Sequence, residues 1–352
     1  MTLNAAALLE GPRGRRLCLA FLIGDAIHTH VDEVMTAVFW AIRQLDPNPG
    51  TTIRFGAGPA EPDPVVTPEE AADMLGRLEI PEPTAERLRD ALGVSVDHAM
   101  YWQEPDGSDV FAATGAMHPV LARVAEVIAA APDAAWWASS AALSDQWAVS
   151  WEDPLVYDEP GAALRAWTDG IREDEERSAR ERPADPSARW SGTWWSTPPT
   201  SLVHTTRSMG AAGPAELWFI EDSFGWDTAT TSFVHPASAR VLEIEGPEAW
   251  ADLCRRHPLD VTASRRHDWY RVTGRDGRWV QPDWESVARE ADGVHLSVGG
   301  YLRGATRLIP VDDERASVIG GWAPDATYWL ARPLPGGIHH EWHRTDTGWR
   351  RT

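Results

Sequence analysis

The chain has 352 residues with 43% apolar content, and 53 acids against 32 basic residues give a net charge of −21. Such length and apolar content exclude a disordered chain and predict two packed units. The acidity excludes a general nucleic-acid binder, because cations on phosphates carry most of that affinity. All 32 basic residues are arginine. A chain without lysine has no Schiff-base or pyridoxal-phosphate anchor, no Walker or kinase lysine and no carbamylated lysine between metals.

The elements follow in chain order. Residues 17–23 (LCLAFLI) read as a buried strand, and 33–45 carry helical periodicity ended by Pro47 and Pro49. A short strand is expected over 51–55 and an exposed loop over 56–66. Thr67, Pro68 and Glu70 form a helix start, and Thr84 forms a second, so helices are expected over 67–78, 84–92 and 95–103. Residues 117–131 place Val120, Val124, Val127 and Ile128 on one stripe. A helix over 161–182 ends in the charged run IREDEERSARER (171–182), read as a solvated face.

After residue 200 the texture turns to strands: 201–206, 216–222, 239–245, 269–274, 278–281, 293–298, 326–331 and 338–343. Helices are expected over 247–257 and 282–291, with hairpin turns at Asp276-Gly277 and Asp346-Thr347-Gly348. The predicted fold class is α+β. A mainly helical, acidic domain (1–182) precedes a linker rich in Pro, Ser and Trp (183–200). A domain with a mixed, curved sheet and short helices (201–352) follows.

No apolar run approaches the ~18–20 residues of a membrane helix. No small-residue cleavage pattern follows Arg13, Arg15 and Arg16. A cytoplasmic protein with no membrane or nucleic-acid partner is expected. Cys18 and Cys254 are too few for a disulfide framework and read as buried thiols. Two histidine groups are candidate metal ligands: His28 with His30, and His339 with Glu341 and His343. Each has strand spacing but an incomplete ligand set, so no metal is expected. No GxSxG, GxGxxG or Walker pattern occurs.

Residues 255–278 hold seven arginines (Arg255, Arg256, Arg265, Arg266, Arg271, Arg275 and Arg278) against Asp260, Asp268 and Asp276. Such an island suits a small anionic molecule, with Trp269 or Trp284 stacking a base; the alternative is an electrostatic seam between the domains. His204, Thr205 and Arg207 in SLVHTTR resemble the opening strand of ADP-ribosyltransferase-type NAD-binding domains, with Thr205 where glycine is usual. The resemblance implies NAD as a substrate, with His204, Thr205 and Arg207 as its contacts. Glu243 or Glu245 would stabilise the oxocarbenium charge, and Arg265, Arg266 and Arg271 would hold phosphates. The stretches 267–284, 292–302, 321–330 and 101–113 resemble a group of tryptophan-rich actinobacterial proteins, which implies a bacterial origin and no particular reaction. Two other readings compete: a protein-interaction module that docks through its acidic domain, and a metal-dependent hydrolase.

Overall fold

The structure is a computed structural model that describes residues 3–24, 32–51, 62–151, 157–221, 225–236 and 239–352. The chain opens with helices α1 (Ala5–Glu10), α2 (Pro12–Gly24), α3 (Asp32–Leu45), α4 (Pro68–Leu75), α5 (Ala85–Asp97), α6 (Gly107–Ala112) and α7 (His118–Ala130). A 3-10 turn (Pro132–Ala138), strand β1 (Gln146–Trp151) and the long helix α8 (Pro160–Glu181) complete the first half. The second half holds β2 (His204–Thr205), β3 (Thr228–His235), β4 (Val241–Ile244), α9 (Pro247–Arg256), β5 (Pro258–Asp260) and α10 (Thr262–Thr273). It continues with β6 (Arg278–Pro282), α11 (Trp284–Val287), β7 (Gly293–Leu296), α12 (Val298–Gly304), β8 (Ile309–Pro310), β9 (Arg315–Ser317), β10 (Thr327–Trp329), β11 (Leu334–Thr345) and β12 (Gly348–Arg351).

Among the described residues the strands form three four-stranded sheets, in the orders β1-β3-β11-β12, β2-β10-β7-β4 and β5-β6-β9-β8. The first is antiparallel throughout. The second and third each contain one parallel pair, β4 with β7 and β6 with β9. The class is α+β, as expected.

Local signals account for several elements. Thr67 and Glu70 close a reciprocal capping box on α4, as their spacing predicts. Asp346-Thr347 turns β11 back into β12. Other expectations fail for physical reasons. Residues 17–23 belong to α2, not to a strand. Nine residues of this helix, including Arg13 and Arg16, are buried, and an apolar run buried on all sides carries no period to separate strand from helix. The helix expected over 95–103 is the end of α5, which runs through Gly93 to Asp97. Residues 269–274 lie in α10, whose C-terminus turns at Gly274 with φ +70°, a conformation glycine adopts without a Cβ penalty. The Asp276-Gly277 turn therefore joins a helix to a strand. Residues 216–222 begin in a 3-10 turn, Ala215–Leu217, and pair with no strand among the described residues. The strand expected over 201–206 shortens to His204–Thr205. Of the strand expected over 51–55, residues 52–55 lie outside the described residues.

Hydrophobic packing continues across residues 183–200. One core cluster reaches from Leu8 to Leu330 and joins α2, α5 and α7 to α9, α12 and β7. The stretch itself has no regular element but is tied down. The Ser196 amide donates to the Gly320 carbonyl at 3.0 Å, and the Trp269 indole donates to the Trp194 carbonyl at 3.0 Å. A smaller cluster under the first sheet gathers Val149, Leu217, Ala229, Trp342 and Trp349. Cys18 and Cys254 are fully buried, and burial pushes both thiols up to about 12.

Candidate functional site

The second sheet sets the geometry of the site. Its register aligns Glu243 on β4 with His295 on β7, His295 with Thr327 on β10, and Thr327 with Thr205 on β2. These four side chains share one face, because strand side chains alternate. His204 is one residue away, opposite Tyr328, and faces the other side. Its ring stacks on Tyr328 at 5.2 Å, and its Nε2 lies 2.9 Å from the Glu216 carboxylate. Burial opposes a charge on His204, but Glu216 outweighs it and the pKa rises. His204 and Glu243 therefore do not meet in one cleft.

A buried polar chain runs along the Glu243 face. The Glu243 carboxylate accepts from the Ala141 amide at 3.0 Å and sits 2.5 Å from His295 Nδ1. His295 Nε2 lies 3.3 Å from Asp325 Oδ1. Asp325 in turn receives Arg207 twice, from Nε at 2.7 Å and from the backbone amide at 2.9 Å. The two remaining guanidinium nitrogens donate to Ser139 Oγ and to the Ser140 carbonyl. His295 is fully buried and Asp325 is 1% exposed. Burial opposes the imidazolium, but the carboxylates of Asp325 and Glu243 hold the proton and raise the pKa. Asp325 adopts φ +65°, a region uncommon for non-glycine residues but tolerated by aspartate. The bent backbone lets one carboxylate meet both His295 and Arg207.

Arg207 forms part of the wall of a cleft of about 810 Å³ between segments of both halves. Its guanidinium lies 5.0 Å from the ring centre of Trp136. On another wall Arg89 lies 3.8 Å above Trp218 and is held edge-on by Asp90 Oδ1 at 2.9 and 3.0 Å. The carboxylates of Glu86 and Asp133 also line the cleft. Two cations and two acids leave these walls balanced in charge. Aromatic faces beside fixed donors and acceptors suit a polar ring.

The remaining expected residues lie elsewhere. Thr205 is fully buried and holds Gln146 at 2.5 Å and the Trp329 indole at 2.8 Å, so it meets no ligand from solvent. The Glu245 carbonyl accepts from Arg303, away from His204. The arginine island does not converge. Arg265 is buried against Asp174, Arg266 donates to the Pro183 carbonyl, and Arg271 binds the carbonyls of Trp102 and Trp190 and the carboxylate of Asp268. Arg255 donates to the Val311 carbonyl and Arg275 to that of Glu314. Arg256 pairs with Asp252 and Glu290, and Arg278 with Asp260 and Glu314. Arg265 thus meets an acid of the first half, whereas Arg266 and Arg271 reach backbone carbonyls before residue 200 and Arg271 also pairs with Asp268 on its own helix. Burial pulls Arg265 down to about 10, still protonated at neutral pH. Trp269 and Trp284 are fully buried, which leaves neither able to stack a base.

The chain matches no protein-family model, no curated protein and no solved structure.

His28 and His30 lie outside the described residues. His339, Glu341 and His343 share the solvent face of β11, an inner strand of the first sheet. His339 Nδ1 is 2.8 Å from Ser232 Oγ. Among the described residues no three His, Cys, Asp or Glu side chains converge as a metal site, and no helix is long and apolar enough to cross a membrane. Sequence reasoning missed His295, Asp325, Arg89 and Trp218. A signal was present for His295 alone, which stands mid-strand among apolar neighbours.

Proposed function

We propose that the protein binds a small polar ring, a nucleoside or a sugar, in the cleft between Arg89 and Arg207. One observation carries this reading: two guanidinium groups, each laid on an indole and each anchored by its own carboxylate, face the same cleft. Anchored arginines lose little freedom when a ligand arrives, so their remaining N–H groups are ready donors. Glu86 and Asp133 supply acceptors for hydroxyls, and Trp136 and Trp218 supply apolar faces for the ring. The buried chain of Glu243, His295 and Asp325 positions Arg207 and has no role in contact with the ligand.

Calorimetric titration with adenosine, NAD and cellobiose tests this. Saturable binding of at least one is expected, weakened about tenfold in Arg89→Ala, a loss of about 1.4 kcal/mol. Adenosine or NAD binding assigns the nucleoside arm, and cellobiose binding the saccharide arm. Silence from all three, or affinity unchanged in Arg89→Ala, overturns the reading.

A further inference from the structure

The solvent face of the first sheet carries a cavity of about 440 Å³, walled by the segment that leads into α8 and by the residues before β11. Strand register sets its floor. Ser232 on β3 stands between Ala148 on β1 and His339 on β11. The alanine leaves room beside the serine, and on the other side Ser232 Oγ lies 2.8 Å from His339 Nδ1. The ladder is irregular just before this pair. Gly336, Gly337 and Ile338 stand against Phe233 alone, and Gly337 adopts φ +70°. Such bulges re-aim a neighbouring side chain and recur beside active sites. Ser232 is half-buried and His339 is exposed, so both are within reach of a molecule in the cavity.

A serine hydroxyl is a weak nucleophile until a base takes its proton, and an imidazole nitrogen at hydrogen-bond distance is such a base. With the ring proton on Nε2, His339 Nδ1 accepts from the Ser232 hydroxyl. Pro160, Val203, Phe233 and Pro333 give the cavity apolar walls for an acyl chain. The volume falls in the usual range for small-ligand pockets, roughly 300–1,000 Å³. Thr230 lies two residues along β3 on the Ser232 face, and Arg332 is held only loosely, 3.9 Å from Glu159. Both bring donors to the cavity for a carbonyl oxygen that gains charge. Asp158 and Arg332 cancel in charge on the wall, which suits a neutral ester.

We propose that Ser232 and His339 form a catalytic pair that hydrolyses esters of short apolar carboxylic acids. Ser232 Oγ attacks the acyl carbon, and its proton passes to His339 Nδ1. The ester C–O bond breaks, and the alcohol leaves with the proton that His339 returns. Water then adds to the acyl-serine and gives a proton to the same imidazole. The bond from the acyl carbon to Oγ breaks, Oγ takes that proton back, and the carboxylic acid departs. The cavity shares no wall residue with the cleft at Arg89 and Arg207, so either site can fail without the other.

The turnover probe is para-nitrophenyl butyrate. The nucleophile probe is a fluorophosphonate, which bonds to an activated serine with loss of fluoride. The full chain should release nitrophenolate with saturation kinetics, and mass spectrometry should place the phosphonyl adduct on Ser232. Ser232→Ala should abolish that adduct, and Ser232→Ala and His339→Gln should each lower kcat/KM by about a hundredfold or more. His343→Gln, on the same face of β11 but outside the cavity, should leave turnover unchanged, which separates the pair from a general surface imidazole. Circular dichroism confirms that the variants fold. No adduct, an adduct on another residue, or turnover unaltered in Ser232→Ala overturns the proposal.

Discussion

His295 is the residue whose environment states the most. Both ring nitrogens face carboxylates inside the sheet, and Arg207 balances the second of them. With the ring protonated, the four groups sum to zero charge. A neutral ring would leave a buried carboxylate facing a lone pair, an expensive arrangement. Because the folded pKa is raised, this stabilisation is fully present below the unfolded value of ~6.5 and is lost as pH climbs through the folded value. The stability gap between the native chain and His295→Gln should therefore shrink as pH rises above neutrality, read from urea unfolding at a series of pH values. A gap that stays constant above neutrality would mean a ring already neutral there when folded. The sequence marks His295 only as a polar residue mid-strand among apolar neighbours, not by its partners. Its partners lie 52 and 30 residues away: Glu243 meets it through strand register, and Asp325 through the turn that precedes β10.

Among elements, α10 shows how far local signals reach. Gly274 marks its C-terminus in the left-handed conformation, which opposes a strand over 269–274. The start of α10 is only partly visible locally: Asp260 accepts from the Thr262 amide at 2.9 Å, but the next two free amides are capped from α8. Glu175 Oε1 and Oε2 accept from the Ala263 and Ser264 amides at 2.6 and 2.8 Å. A carboxylate there satisfies two orphan donors and opposes the helix dipole. Glu175→Ala should destabilise the fold by about 1–2 kcal/mol, whereas Glu176→Ala, on the exposed side of the same helix, should change it by less than about 0.5 kcal/mol. Equal effects in thermal unfolding would remove the cap from the account. The charged run 171–182 thus has a solvated face and a docking face. Composition predicts the first, but only the packing of α8 on α10 reveals the second. The capping box of α4 was legible because both its partners lie within one turn.

At the scale of the molecule, the class and most helices were readable, since periodicity and caps are local. The arrangement of the halves was not. Arginines dense in sequence over 255–278 diverge in space, each toward a different carbonyl or carboxylate. The residues that converge come from far apart: Arg89, Asp133 and Trp136 from the first half, Arg207 and Trp218 from the second. The twenty tryptophans sort accordingly. Trp250, Trp269, Trp279 and Trp284 are core, with no exposed surface. Trp136 and Trp218 border the cleft, and Trp102, Trp194, Trp195 and Trp322 line a smaller cavity.

The most direct measurement follows the indole N–H resonances of nitrogen-labelled protein during titration with whichever of adenosine, NAD or cellobiose binds. Saturating shifts confined to Trp136, Trp218 and their cleft neighbours Trp137 and Trp349, with Trp250, Trp269, Trp279 and Trp284 unmoved, are the predicted result. Shifts centred on any other tryptophans, or a spectrum that does not change, would contradict the cleft as the binding site.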